Sequence, residues 1–470
     1  MSTLQQVAPK AFRAAVSQAL DAGERFGGGW VSAREGASMW RVLLVAPPGT
    51  RVISCEAPDG RVDSIIELAE AAAWDEREAH DLYGLDFVGH SPLRALATHT
   101  EDPDRWMTPV SGHGVHQVAV GPIHAGVIES GHFRFHVVGE RILAMDPRLF
   151  YKHRGLERAA QGHDAKGALR YAHRACAACV VANTTAYAQA VEDARGLSAD
   201  RDLRVARTVL LELERLYNHL HDIGAICAGV GYAPGTMAFA ALKDRAQQIN
   251  ANAFAHRLLF DTVAVAHGAV ELDRSATADA RAALRELHTD TAAAWRELEF
   301  AGSLQTRLDG VGILDEHDAR RLGTVGPAAR AAGIVGDLRQ SDTRLAYDGF
   351  TAASLDAATG DVAARLRLRA AELESTHELL EELLARPLAR GATLADGSTP
   401  EELGVGRVES PRGATTCTVE LHGERVARLH LRTASYANWP SVAHAATGNL
   451  LPDFPLINKS FELCYACVDR

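Results

Sequence analysis

The chain has 470 residues, with 49 Lys and Arg against 60 Asp and Glu, a formal net charge of −11. Hydrophobic residues make up 47% and charged residues 23%, proportions that exclude disorder as the main state. The acidic balance excludes the broad basic face that nucleic-acid binding needs, and the length predicts more than one domain. Residues 1–10 lack a basic start followed by an apolar block, so no secretory signal is read. No uncharged apolar run reaches the roughly 18 residues of a membrane span, so none is expected. Seven cysteines are few and odd in number, which argues for reduced thiols in a cytoplasmic chain and against a disulfide scaffold.

In chain order, Phe12, Val16 and Leu20 have helical spacing, and a helix is predicted over 11–22. Short apolar runs at 41–46 and 51–55, separated by Pro47-Pro-Gly-Thr50, predict strand, turn, strand. A helix of mixed charge is predicted over 65–83, ending at Gly84. Residues 97–114 are polar and rich in breakers, so a linker is placed at 101–114. It divides a small α+β domain, 1–100, from a second domain, 115–470. The second opens with alternating residues 132–138, a Gly139-Glu140 turn and a partner strand at 141–144. Helical periodicity then predicts helices over 165–194, 201–228, 236–267, 276–300 and 351–386. A second hairpin follows over 415–431, turning at His422-Gly423. The predicted fold is multidomain: a small α+β N-terminal domain, then a mainly α-helical bundle with small β-hairpins at its ends.

Four cysteines form two pairs, Cys176-Ala-Ala-Cys179 and Cys464-Tyr-Ala-Cys467. A spacing of three places both sulfurs of a pair on one helical face or around one tight turn, where they can chelate. Four soft thiolates suit zinc, iron–sulfur or nickel–iron centres. The 284 residues between Cys179 and Cys464 are far too many for a zinc ribbon, so the tertiary fold must join the pairs. On spacing alone, two unrelated pairs of small buried cysteines remain an equal reading. Cys55, Cys227 and Cys417 are isolated and read as buried and inert. His219 and His221 lie two apart on a helix and face different sides, so they read as packing residues. Glu212, Glu214 and Arg215 read as members of interhelical ion pairs.

Ordered motifs along nearly the whole chain resemble a known family. In the first region these are Trp74-Asp-Glu-Arg-Glu78, Asp81-Leu-Tyr-Gly84 and Phe87-Val-Gly-His-Ser-Pro-Leu-Arg94. In the second they are Gly121-Pro-Ile-His-Ala-Gly126, Glu129-Ser-Gly-His-Phe-Arg-Phe135, Tyr151-Lys-His-Arg-Gly-Leu-Glu157 and the segment from Glu212 to His221. Ser410-Pro-Arg-Gly413, Arg432-Thr-Ala-Ser-Tyr-Ala-Asn438 and Cys464-Tyr-Ala-Cys-Val-Asp-Arg470 complete the set. Together they resemble the large, catalytic subunit of membrane-bound nickel–iron hydrogenases of the formate-hydrogenlyase type. That family is homologous to the D-type subunit of respiratory complex I, here behind a region like the C-type subunit.

The resemblance implies a nickel–iron centre whose iron carries carbon monoxide and cyanide. It implies Cys176 and Cys464 as terminal nickel ligands and Cys179 and Cys467 as the bridging thiolates. It also implies catalytic roles for Arg412, poised over the metals, and for Glu129, as a proton relay. His124 lies in a loop that lines the quinone pocket of complex I relatives. The implied activity is reversible proton reduction to hydrogen. Implied partners are an iron–sulfur small subunit resembling the B-type subunit of complex I, membrane-embedded proton- or ion-translocating subunits, and maturation proteins for nickel insertion. The implied location is the cytoplasmic face of the inner membrane, peripheral. Five residues at three places depart from the family pattern: Ala177-Ala178 replace Gly-Ile, Asn183 replaces a histidine, and Glu462-Leu463 replace Asp-Pro. These departures keep two alternatives open. One is a complex I-like coupling or quinone-binding subunit without an active nickel–iron centre; the other is a structural zinc site on the same cysteines.

Overall fold

The computed structural model describes every residue except 1, 35, 47–48, 101, 103–104, 125–128, 271–273, 386–387, 389–392 and 395–400. A four-stranded sheet comes first, ordered Ser2–Val7, Gly49–Glu56, Ala37–Ala46, Arg25–Arg34 from edge to edge. The first two strands are parallel and the other pairings antiparallel. The helix predicted over 11–22 runs Pro9–Asp21 and buries Phe12, Val16 and Ala19. Proline suits its first turn, where a backbone N–H has no helical partner. The predicted strand pair is the antiparallel pair Ala37–Ala46 and Gly49–Glu56; Pro47 and Pro48 lie outside the described residues.

The helix predicted over 65–83 is shorter, Ala73–Tyr83, behind a single 3-10 turn Glu70–Ala72. The buried Glu76 carboxylate accepts from the Ile65 N–H at 2.8 Å and the Ser64 hydroxyl at 2.7 Å, which folds the preceding segment back instead of letting it wind. Gly84, at φ 71, closes the helix as predicted. In the expected linker, Trp106 and Met107 are buried, and Asp146 accepts from the Thr108 N–H and hydroxyl at 2.9 and 2.8 Å. Residues 101, 103 and 104 of that segment lie outside the described residues.

The predicted hairpin is the antiparallel pair His132–Val138 and Arg141–Arg148, with Val115–Val120 added on the other side. The second hairpin is Gly413–His422 with Arg425–Arg432, and Leu403–Ser410 extends it to a meander. The long helix Arg201–Gly229 matches its prediction. It packs against Val180–Ala194, Ala233–Phe254, Val362–Leu383 and Phe454–Phe461. Surrounded in this way, it buries charged residues along with apolar ones.

Three further helical predictions need correction. The stretch 165–194 is two helices, Ala165–His173 and Val180–Ala194, with the first cysteine pair in the break. The stretch 236–267 is helical only over Ala233–Phe254; Ala255, Leu259, Asp261 and Ala266 then adopt positive φ, which ends helical winding. The stretch 351–386 is helical only over Val362–Leu383, where the Asp361 side chain accepts from the Ala364 N–H and fixes the start; residue 386 lies outside the described residues. The 276–300 helix runs Arg274–Glu299. Among the described residues no helix is long and apolar enough to cross a membrane.

The strand Leu403–Ser410 lies directly on the helix Val180–Ala194. A Cβ at Gly406 would stand 1.8 Å from the Ala186 carbonyl oxygen, and one at Gly404 2.0 Å from that of Ala190. Backbone meets backbone here, so nothing can yield. Gly406→Ala is therefore expected to cost about 3 kcal/mol or more of stability, read as a fall in melting temperature or denaturant midpoint.

Candidate metal centre

The break between Ala165–His173 and Val180–Ala194 contains no glycine or proline, and neighbouring side chains hold it open. Asn218 donates to the Ala178 carbonyl at 2.8 Å, and the Tyr217 hydroxyl reaches the same oxygen at 3.3 Å. The carboxylate of Glu214 accepts from the N–H groups of Val181 at 2.6 Å and Ala182 at 3.0 Å, satisfying the first donors of the new helix. Glu214 is thus a helix cap, not the ion-pair member expected from sequence. Burial pushes its carboxyl up to about 8, against those two N–H bonds.

The second pair comes from the end of the chain. The helix Phe454–Phe461 stops at Glu462, in the left-handed region at φ 48. This turn delivers Cys464, whose N–H donates to the Ser435 hydroxyl at 3.0 Å. Cys467 follows in the last turn, its carbonyl accepting from the Thr433 hydroxyl at 3.1 Å. The Asp469 carboxylate ties that turn down by accepting from the N–H groups of Phe150 at 2.7 Å and Lys152 at 2.9 Å.

The four sulfurs of Cys176, Cys179, Cys464 and Cys467 lie within 4.8 Å of one another. Cys179 and Cys464 are 3.8 Å apart, close to the edge of a tetrahedron around an ion bonded at about 2.3 Å to sulfur. Cys176, Cys179 and Cys467 are buried, and Cys464 is half-buried. Hydrogen bonds among the thiols, those with Cys176 first, hold Cys464 well below the usual thiol range and push Cys179 and Cys467 well above it. One thiol of the cluster, Cys464, is thus favoured in its charged form, the form in which cysteine binds metal.

Arg412 is buried beside these sulfurs. It donates to the Glu462 carbonyl at 2.9 Å, to Asp222 at 3.0 Å and to the Asn218 side-chain oxygen. Burial opposes its charge, but Asp222, Cys464 and Cys179 outweigh burial and hold the guanidinium well above its usual range. Glu129 accepts from the Ala466 N–H at 2.7 Å, between the two cysteines of the second pair in sequence. Burial raises its carboxyl, with the Cys464 charge adding, against that N–H bond. A guanidinium that keeps its charge and a carboxyl that keeps its proton to higher pH thus both reach the sulfur cluster.

Other expected residues fall elsewhere. His219 is fully buried, with its Nε2 2.7 Å from Glu372, and His221 pairs with Glu462 at 3.2 Å; neither joins the sulfurs. Glu212 and Arg215 do take part in ion pairs: Glu212 with Arg339 at 3.4 Å and Arg215 with Glu372 at 3.8 Å. His124 is exposed, and residues 125–126 of its motif lie outside the described residues. Cys55, Cys227 and Cys417 are buried and apart from the cluster. Asn183 is completely buried one turn beyond Cys179, and neither atom of its amide has a hydrogen-bond partner. Sequence reasoning missed Asp222 and Ser435. Asp222 follows Asn218 by one helical turn, a spacing that aims both at Arg412.

Comparison with known proteins gives a consistent placement. The family model for the 49-kDa subunit of respiratory-chain NADH dehydrogenase matches residues 230–401 and 392–470, more than half the chain. The model for the 30-kDa subunit of the same enzyme matches residues 43–113. Formate hydrogenlyase subunit 5 of Escherichia coli is 28% identical, over 89% of this chain and 78% of its own length. The C/D polypeptide of NADH-quinone oxidoreductase from Cereibacter sphaeroides is 26% identical, over 88% of this chain and 83% of its own. A chain in the solved structure of the membrane-bound sulfane sulfur reductase, an archaeal respiratory membrane complex, shares the fold with TM-score 0.69 at 22% identity. That match covers 77% of this chain and 100% of the other.

Proposed function

The chain belongs to the family of the 49-kDa subunit of respiratory-chain NADH dehydrogenase, and from that premise we propose that it is the catalytic large subunit of an energy-converting nickel–iron hydrogenase. The observation that carries this reading is the meeting of four cysteine sulfurs with a charged arginine and a raised carboxyl beside them. A structural zinc site needs the sulfurs alone; Arg412 and Glu129 beside them suit a site that handles charge and protons.

The residues fit the group: four soft donors converge, and Arg412 offsets their negative charge. Cys176, Cys179, Cys464 and Cys467 would together hold the nickel and iron through their thiolates. When bound, the centre supplies a metal pair at which dihydrogen is formed or split heterolytically. Arg412, held by Asp222, Asn218 and the Glu462 carbonyl, presents a preorganised positive guanidinium beside the sulfurs. Glu129 exchanges a proton with the half-buried Cys464 side of the pocket. Electrons come from an iron–sulfur partner resembling the B-type subunit of complex I. The chain sits peripherally on the cytoplasmic face of membrane-embedded ion-translocating subunits, and maturation proteins insert its nickel.

Metal analysis and infrared spectroscopy on the natively purified complex test this reading. Nickel and iron in equal amounts, with carbon monoxide and cyanide stretching bands, are expected. Zinc or no metal, without those bands, overturns it. Glu129→Gln is expected to lower hydrogen turnover by about 10²–10⁴-fold with metal content and infrared bands unchanged, and Glu129→Asp to recover part of the loss.

A second reading rests on Asn183 and on Ala177-Ala178. An unpartnered buried amide near Cys179 suits a centre altered from the hydrogenase pattern. In that case the chain is a complex I-like coupling or quinone-binding subunit, and the same spectra would lack the bands.

A further inference from the structure

A cavity of about 1040 Å³ opens between the N-terminal sheet and the second region, away from the cysteine cluster. Six arginines line it; Arg320, Arg321 and Arg432 are paired with Glu316, Glu70 and Asp75, and the other three are Arg25 on the strand Arg25–Arg34, Arg344, and Arg407 on Leu403–Ser410. Arg344 is anchored, donating to the carbonyls of Val405 at 2.8 Å and Arg407 at 3.3 Å. Among the described residues neither Arg25 nor Arg407 has a carboxylate partner, and the buried Nε of Arg407 has no acceptor. Arg25 is exposed and Arg407 half-buried, so it is at Arg407 that burial makes an unpaired charge costly. Burial first, then the charge of Arg344 and, more weakly, that of Arg25, push the Arg407 guanidinium down to about 10, against the opposing charges of Asp342 and Glu409.

The acids on the same wall are already engaged. Glu409 and Asp337 pair with Arg330, at 2.9 and 3.2 Å, Glu70 pairs with Arg321, and Glu24 with Arg51 at 2.7 Å. Asp342 is held by Arg344, 3.5 Å away, so Asp342 and Glu409 offset the Arg407 charge only at a distance, and neither Arg25 nor Arg407 has an ion pair of its own among the described residues. Beside them Phe26, Ile66 and Ile334 give the cavity apolar surface. Its volume reaches the upper end of small-molecule sites.

We propose that this cavity binds a phosphate-bearing ligand with an apolar body, its phosphate held between Arg25, Arg344 and Arg407. Forked guanidinium donors match phosphate oxygens, and two of the three have none of their hydrogen bonds committed within the fold. Arg25 belongs to the N-terminal sheet and the others to the second region, so the ligand bridges the two. The proposal does not depend on the identity of the metal centre.

Isothermal titration and thermal melting of the full chain test it with three probes: inorganic phosphate, adenosine monophosphate and dihexanoyl phosphatidic acid below its micelle concentration. Sodium chloride at matched ionic strength is the control. Saturable binding of at least one probe is expected, with a rise in melting temperature beyond the control. Tighter binding of the nucleotide than of phosphate identifies a soluble ester, tighter binding of the phosphatidic acid a lipid headgroup, and equal binding free phosphate. Arg25→Gln and Arg407→Gln should each weaken binding tenfold or more, and the double variant should abolish it. Neither side chain makes a hydrogen bond that the fold needs, so the variants should keep the unliganded melting temperature. For the unmodified chain, the probes should compete with one another and bind more weakly as salt rises. Failure of all three probes to bind saturably, or unchanged affinity in the double variant, overturns the proposal.

Discussion

Cys467→Ala is expected to empty the metal centre. Cys467 is completely buried, its backbone is fixed by Thr433, and its sulfur stands within 4.8 Å of the other three. No other cysteine, histidine or carboxylate completes that cluster among the described residues. Glu129, beside the cluster, is committed to the Ala466 N–H. Three thiolates cannot close a four-sulfur shell, so nickel and iron should fall to about a tenth or less of the unmodified level. The infrared bands and hydrogen turnover should vanish with them. Cys417→Ala is the control: that thiol is equally buried, with burial pushing it well above the usual range, but it lies outside the cluster. Its loss should leave metal content unchanged. Full metal loading in Cys467→Ala would contradict the assignment of this cluster as the metal shell.

Arg412→Lys should keep the metals and lose turnover by about 10²–10³-fold, the typical effect of removing one preorganised donor. Lysine keeps a charge but cannot meet Asp222, Asn218 and the Glu462 carbonyl from one rigid fork. Arg412→Leu goes further, because it leaves the completely buried Asp222 with Arg369 as its remaining arginine, 3.1 Å away. Burial opposes the Asp222 charge, and Arg412 is the main group holding its carboxyl far below the usual range. Breaking a buried pair of this kind costs about 3–5 kcal/mol, which should appear as a large fall in melting temperature alongside lost activity. A fully active Arg412→Lys variant would reduce the arginine to a structural ion pair.

Much of this arrangement was legible in the sequence. The hairpin turns at Gly139-Glu140 and His422-Gly423 carry their own turn chemistry, and the 29-residue helix Arg201–Gly229 repeats its apolar positions for eight turns. The break that carries the first cysteine pair was not legible. Arg-Ala-Cys-Ala-Ala-Cys contains residues that continue a helix comfortably, and it is opened by Glu214, Tyr217 and Asn218, distant in sequence. The helix Ala434–Ala446 was missed because Pro440 lies inside it, where local rules end a helix. The role of Glu214 was misread for a related reason. A carboxylate among arginines suggests an ion pair, and only the three-dimensional fold brings two unpaired N–H groups to it.

The 284 residues between Cys179 and Cys464 also bear on the order in which the protein comes together. Closing a flexible loop of that length costs about 5 kcal/mol of chain entropy, before any sulfur is aligned. A metal ion meeting the unfolded chain would find two separate pairs and gain little by recruiting the second. The shell is therefore a late product of folding and not its nucleus, unlike small zinc modules that the ion itself assembles. The intervening helices must already be packed before a four-sulfur site exists. On the proposed reading, whatever delivers metal acts on a nearly finished protein, from the half-buried Cys464 side of the cluster.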